Sequence, residues 1–217
     1  MANTTKNLNF ATSEALKEIR TNLLYGNNKV IGFTSMSPSE GKSTMTIQLA
    51  KQFALLNKKV IVVECDLKRP VLHKTLLVKK SQGISEYLTN QTGEIINGTS
   101  ENFDIIFAGN VPPNSTELLS SDKFSKLISK LKNDYDYVLV DTPPVLGTID
   151  AQIIGGVVDG MVFVVRSRMT KTEELRKGIL TFKQRGINII GSILNREVAK
   201  KNGKGYYYYY YYGEKNK

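Results

Sequence analysis

Apolar positions along the chain alternate between two patterns. Six short runs, at 30–34, 60–64, 104–108, 137–141, 161–166 and 188–194, are rich in Val and Ile and hardly alternate with polar residues. Such runs predict strands covered on both faces. Between most of them, 42–57, 115–132, 149–158 and 171–185 carry apolar residues at helical spacing. Ahead of the first strand, Ala15, Leu16, Ile19, Leu23 and Leu24 predict an amphipathic helix over 13–25, with Ser13 as its N-cap. Repeated strand–helix alternation predicts an α/β fold, a doubly wound and mainly parallel sheet with helices on both faces. Ligands in such folds bind at the carboxyl ends of the strands, so the residues that end each run carry the functional argument.

The ends of the chain differ from this core. Residues 1–12 are polar and expected to be mobile. From Lys200 to Gly205 all periodicity is lost, and seven consecutive tyrosines follow: Tyr206, Tyr207, Tyr208, Tyr209, Tyr210, Tyr211 and Tyr212. The expected organisation is a mobile start over 1–12, one folded domain over 13–198 and a flexible tyrosine-rich tail over 199–217. A chain of 217 residues suits one domain of this class.

The run at 30–34 leads into Met36-Ser37-Pro38-Ser39-Glu40-Gly41-Lys42-Ser43-Thr44, and a helix pattern follows. Strand, loop ending in Gly-Lys-Ser, and helix is the context of a phosphate loop. Backbone amides of Ser39, Glu40 and Gly41 and the start of the helix would cradle phosphates. Lys42 would reach the β- and γ-phosphates, with Ser43 on Mg²⁺ and Thr44 behind it. Met36 stands where the pattern usually has a glycine, so Met36 and Ser39 must accept the loop's conformation.

Acids end two further strands. Glu64 and Asp66, two residues apart, could both face the nucleotide. Asp141 closes the run at 137–141, just before Thr142-Pro143-Pro144. Mg²⁺ takes oxygen ligands and keeps several waters, so few carboxylates suffice; Ser43, Asp66 and Asp141 are the candidate metal-side residues. Acids in turns are common, but three at strand ends beside a phosphate loop point to ATP or GTP hydrolysis or phosphoryl transfer. Lys68 and Arg69 either neutralise phosphate or are solvated loop residues. Cys65 reads as a small buried hydrophobe, and His73 has no evident role.

Lys and Arg number 30 against 20 Asp and Glu, a net charge of +10. This suits acidic partners without choosing among them. One cysteine excludes an internal disulfide. With no apolar run of membrane-spanning length and a polar start, the expectation is a soluble, cytoplasmic chain.

The phosphate loop, the acids of 60–70, the 138–144 segment and the tyrosine cluster, taken in that order, resemble the bacterial tyrosine kinases that regulate capsular and exopolysaccharide synthesis. The likeness is greatest to the split type of Gram-positive bacteria, within the MinD- and ParA-like P-loop ATPases. It implies an ATP-dependent protein-tyrosine kinase that uses Mg²⁺ and autophosphorylates its tyrosine tail. Lys42, Glu64 and Asp66 become the catalytic set, with Glu64 where the family usually has the aspartate that accepts the tyrosine proton. Asn195 falls on the adenine side. Glu14, Lys17 and Arg20 match an oligomerisation pattern, although by spacing alone they suit an ordinary solvated helix face. The resemblance further implies a homo-oligomeric ring when unphosphorylated, a separate transmembrane activator that recruits the kinase to the inner membrane face, and a cognate tyrosine phosphatase. No nucleic acid is expected. Two other readings compete. One is a MinD- or ParA-like ATPase that positions cargo on membrane or nucleoid. The other treats the tyrosine tail as a stacking platform for single-stranded nucleic acid.

Overall fold

The computed structural model describes residues 10–79, 82–90, 96–100 and 102–197. The tyrosine-rich segment expected over 199–217 lies outside them, as do residues 1–9. Phe10, Ala11 and Thr12, expected within the mobile start, belong to the first helix, α1 (Phe10–Tyr25). Ser13 therefore lies inside that helix and does not cap it.

Six strands form where the apolar runs predict them: β1 (Val30–Ser35), β2 (Val60–Glu64), β4 (Asp104–Ile106), β5 (Tyr137–Asp141), β6 (Gly160–Arg166) and β7 (Ile189–Asn195). A seventh, β3 (Ile96–Gly98), is too short and too polar for its pattern to show. The sheet order is β3-β4-β2-β5-β1-β6-β7, with every pairing parallel except that of β3 with β4. The central strands are buried on both faces, and their side chains divide by parity as a pleated strand requires. Ile61 and Val63 join Val138 and Val140 under α6 (Asp122–Asp134). Val60 and Val62 join Ile31, Phe33 and Leu139 on the opposite face, under α1 and α2 (Lys42–Ala54). Each large side chain so buried contributes about 1.5–3 kcal/mol, and Phe53 of α2 adds a stacked contact with Tyr137 at 4.2 Å.

Two expectations shift for local reasons. The helix expected over 115–132 is two, α5 (Ser115–Leu119) and α6, because Ser121 interrupts the first and caps the second. Its hydroxyl accepts from Phe124 N at 3.3 Å. The strand expected over 104–108 stops at Ile106, because beyond it the main chain bonds elsewhere. Ala108 N donates to Glu64, and the carbonyls of Phe107 and Ala108 accept from Ile84 N and Ser85 N. Those last donors open α4 (Ile84–Leu88), which follows the four-residue α3 (Leu72–Thr75). The remaining helices are α7 (Asp150–Gly155) and α8 (Thr172–Gln184).

Asp159 fastens the start of β1. Its Oδ2 accepts from Lys29 N and Val30 N, each at 2.9 Å, and Oδ1 accepts from Lys132 at the end of α6. Burial opposes the charge on Asp159, but Lys132 and the two amides outweigh it and hold its pKa below the ordinary carboxylate value. A depressed carboxyl stabilises the fold above its unfolded pKa, and that stability is lost as pH falls through the folded value. Asp159→Asn should therefore cost roughly 1 kcal/mol at pH 7 after allowance for solvent screening. The gap from the parent should close as pH drops below about 4. Urea unfolding across that range measures it; a gap independent of pH would count against the assignment.

Candidate functional site

The carboxyl ends of β1, β2 and β5 meet where the sequence places its phosphate loop and acids. Gly41 precedes α2 with φ 101°, a left-handed conformation natural to glycine. A Cβ there would meet Asn195 Nδ2 at 2.1 Å. No side chain caps α2, so the amides of its first turn and its positive end are available to an anion. Ser39 also lies in the left-handed region, at φ 66°, where a residue with a Cβ is strained by about 1–2 kcal/mol. Met36 accepts the loop's conformation differently. Its side chain is buried with Met161, Phe163 and Phe182, and the glycine at position 178 of α8 leaves room for it: a Cβ there would stand 2.6 Å from the Met36 sulfur.

Lys42, only 7% exposed, points into a ring of acids. Its Nζ lies 3.2 Å from Asp66 Oδ2, 3.4 Å from Asp141 Oδ1 and 3.2 Å from Ser43 Oγ. Burial disfavours the charged lysine, but Asp141 and Asp66 more than offset it, and its pKa lies above the ordinary value. Asp141 is fully buried, and that burial, with Glu64 and Asp66 nearby, pushes its pKa up to about 6 despite Lys42 and Ser43. One ammonium thus faces two carboxylates, an excess of negative charge that a divalent cation would relieve. Among the described residues no cluster of three His, Cys, Asp or Glu is arranged to hold a metal outright. The donor set of Ser43, Asp66 and Asp141 fits Mg²⁺ that keeps waters and arrives with phosphate oxygens.

Glu64 sits apart from this ring. Its Oε1 accepts from Val71 N at 2.6 Å and Leu72 N at 2.7 Å, and its Oε2 from Ala108 N at 3.1 Å. Burial raises its pKa, and the three amides hold that rise back. Glu64 and Asp66, which by spacing could both face the nucleotide, thus have different partners. Asp66 reaches Lys42, whereas Glu64 ties the chain after β2 to the end of β4. Asp66 Oδ1 also accepts from Arg69 N at 3.1 Å. Lys68 is no free cation: it pairs with the buried Asp150 at 2.9 Å and donates to Thr148 Oγ1 at 2.9 Å. Cys65 is buried, and its thiol pKa is pushed well up by that burial.

The remaining candidates fall at the margins. Asn195 ends β7 beside the loop, and its Nδ2 donates to Glu40 O at 2.8 Å. Thr44 lies exposed in the first turn of α2. On α1, Glu14 and Lys17 pair with each other at 2.7 Å, and Arg20 donates to Gln52 O of α2 at 3.2 Å. Arg20 Nε and Gln52 Oε1 are both buried without hydrogen-bond partners. Glu40, expected only as part of the loop, proves to be bonded through both carboxylate oxygens. Two of its three partners, Thr170 Oγ1 and Arg166 N, lie over a hundred residues away, which is why sequence spacing does not reveal them.

The family model described as "AAA domain" matches residues 28–185. Tyrosine-protein kinase YwqD of Bacillus subtilis is 34% identical over 202 residues, covering 89% of this chain and 85% of YwqD. A putative tyrosine-protein kinase in the cps region of Klebsiella pneumoniae is 36% identical over 194 residues, covering 86% of this chain. The chain spans 27% of the length of that relative and 26% of related Salmonella kinases. Among solved structures, the chimerical protein CapA2B2 superposes with TM-score 0.85 at 30% identity, covering 89% of this chain and 88% of its own. The septum site-determining protein MinD of Pyrococcus horikoshii, complexed with Mg-ADP, superposes with TM-score 0.67 at 25% identity, covering 80% and 72%.

Glu64→Gln turns an amide –NH₂ toward backbone donors, leaving at least one buried amide unpaired. It should destabilise the fold by about 2 kcal/mol. A urea midpoint equal to the parent's would show that the three bonds do not anchor the loop.

Proposed function

This chain belongs to the family of bacterial tyrosine-protein kinases, and from that premise we propose that it transfers phosphate from ATP to tyrosine hydroxyls, beginning with its own Tyr206–212. The observation that carries the reading is the buried Lys42–Asp66–Asp141 constellation at the head of a phosphate loop. A relative solved with Mg-ADP supports the same nucleotide and metal. Bound Mg-ATP supplies the γ-phosphoryl group. The chain's own residues then bind, neutralise and orient. Backbone amides at the start of α2 hold phosphate oxygens, and Lys42 offsets the charge that develops on them. Ser43 would ligate the metal directly, with Asp66 and Asp141 holding its waters.

The acceptor hydroxyl needs a carboxylate, because its reference pKa of ~10 leaves it protonated near neutrality. Glu64 occupies the family's place for that acid, yet three backbone amides hold both of its oxygens. We therefore assign Glu64 the anchoring of 65–72 and give the hydroxyl proton to Asp66, which reaches the site through Lys42. Asn195 would flank the adenine side while holding the loop at Glu40.

The tail and the first helix suit transfer between neighbouring copies. A tail following β7 would present tyrosines to the next subunit at high effective concentration. Glu14, Lys17 and Arg20 would join that contact by exchanging their present partners within the chain for a neighbour's. Among the described residues no helix is long and apolar enough to cross a membrane. We propose that a separate transmembrane activator recruits the chain to the inner membrane face, with a tyrosine phosphatase to reset the tail. A role in capsular or exopolysaccharide synthesis follows from the cps-region relative. The MinD-like ATPase reading accounts for the same site but leaves seven consecutive tyrosines without a use.

Incubation with Mg-ATP followed by intact mass tests the proposal. The parent should gain several phosphates, and Lys42→Ala none, with its circular dichroism unchanged. ADP release from the parent without added phosphate would instead favour the ATPase. Each phosphate brings roughly −1.5 to −2 charges, which the acids Asp66 and Asp141 repel. Light scattering should therefore show a larger species before Mg-ATP than after, and Glu14→Ala/Arg20→Ala should be small throughout. An unchanged mass would refute the switch.

A further inference from the structure

Glu40 belongs to the phosphate loop by sequence but not by orientation. It is 1% exposed, and its carboxylate is used up inside the protein. Oε1 accepts from Ser37 N at 2.7 Å, which folds the loop back upon itself. Oε2 accepts from Thr170 Oγ1 at 2.7 Å and, more weakly, from Arg166 N at 3.4 Å. Thr170 and Arg166 stand at the two ends of the turn joining β6 to α8, and Arg166 N also donates to Thr170 Oγ1 at 3.1 Å. From the same turn, Arg166 Nη1 donates to Ser39 O at 3.2 Å. Asn195 of β7 holds Glu40 O. The loop is thus gripped from β6 and β7, on the side of β1 away from the catalytic acids.

Ser39 explains why such a grip is needed. A phosphate loop with glycine at this position would adopt φ 66° freely. With serine the conformation is disfavoured and must be imposed by neighbours. We propose that Glu40 is a positioning residue that, held by Thr170 and the Arg166 main chain, keeps the strained loop in its phosphate-binding shape. Nucleotide affinity is then set in part from the β6–α8 turn, at residues that touch no phosphate. The inference rests on the nucleotide-site reading above and deepens it.

Thr170 carries the test, since Thr170→Val removes the hydroxyl with little change of volume. Binding of a fluorescent ADP analogue (mant-ADP) with Mg²⁺ is the readout, because it requires no tyrosine transfer. Thr170→Val and Glu40→Gln should each weaken binding about tenfold, the usual scale for a lost hydrogen bond to a charged group. Thr170→Ser should bind like the parent. Adding Ser39→Gly to Thr170→Val should recover about threefold, because glycine meets no strain at this φ. Ser39→Gly should restore nothing to Lys42→Ala. Thermal melting without nucleotide identifies any variant that is unfolded at the assay temperature; Thr170→Ser and the double variant then carry the comparison. Equal affinity in Thr170→Val and the parent would overturn the clamp, as would a failure of Ser39→Gly to recover any binding. If the parent itself does not bind mant-ADP, the nucleotide reading falls together with the clamp. Parent binding without tail phosphorylation would sink the kinase reading alone.

Discussion

A single buried ammonium group organises the functional end of this molecule. Lys42 leaves the first turn of α2 and is met by Asp66 from beyond β2 and by Asp141 from the end of β5. Each partner is held in place by an apolar strand that is itself buried, so the charges are delivered by the hydrophobic sheet. Removing one partner from such a group commonly costs 3–5 kcal/mol, because an uncompensated charge remains inside. The arrangement is therefore sensitive to any shift in sheet register. Glu64 and Asp141 lie directly opposite one another in the β2–β5 pairing, and Phe33 lies opposite Asp141 in the β1–β5 pairing. A slip of one residue in either ladder would turn Asp141 to the other face.

Carboxylates elsewhere in the molecule serve the backbone. Glu40 shapes the phosphate loop, Glu64 joins the β2 and β4 loops, and Asp159 secures the entry to β1. Glu86 collects Gly83 N, Ser85 Oγ and Asn110 N. Strand ends in a parallel sheet leave main-chain donors without a ladder partner, and a buried donor left unpaired is costly. Acids placed there satisfy those donors where water does not reach. The two roles look alike in sequence, since both put an acid just past an apolar run.

That similarity marks the limit of what sequence could tell. Strands β2 and β5 fell on their predicted bounds because each is a run of Val, Ile and Leu closed by a carboxylate. The phosphate loop was legible because its signal is local: strand, Gly-Lys-Ser, helix. Spacing let both Glu64 and Asp66 face the nucleotide, because their difference lies in whether Val71, Leu72 and Ala108 or Lys42 stands opposite. Lys68 looked like a free cation until the fold brought it to Asp150. The break between α5 and α6 was present as Ser120-Ser121, yet apolar spacing on both sides masked it. For Asp66 and Lys68 the missing information was a contact between residues far apart in the chain.

The distance between Lys42 and Asp141 also governs how the protein comes into being. The two are 99 residues apart, and β1 pairs only with β5 and β6, both made later. At a synthesis rate of about 5–20 residues per second, the loop and its helix leave the ribosome on the order of 5–20 s before β5 follows. Through that interval β1 has no neighbour to pair with, and Lys42 has no Asp141 to meet. Long-range parallel pairing is slow in any case, since loop closure precedes its reward. The nascent chain therefore carries β1 unpaired and its nucleotide site unbuilt. Both are resolved together, when the segment ending in Asp141 slides between β1 and β2.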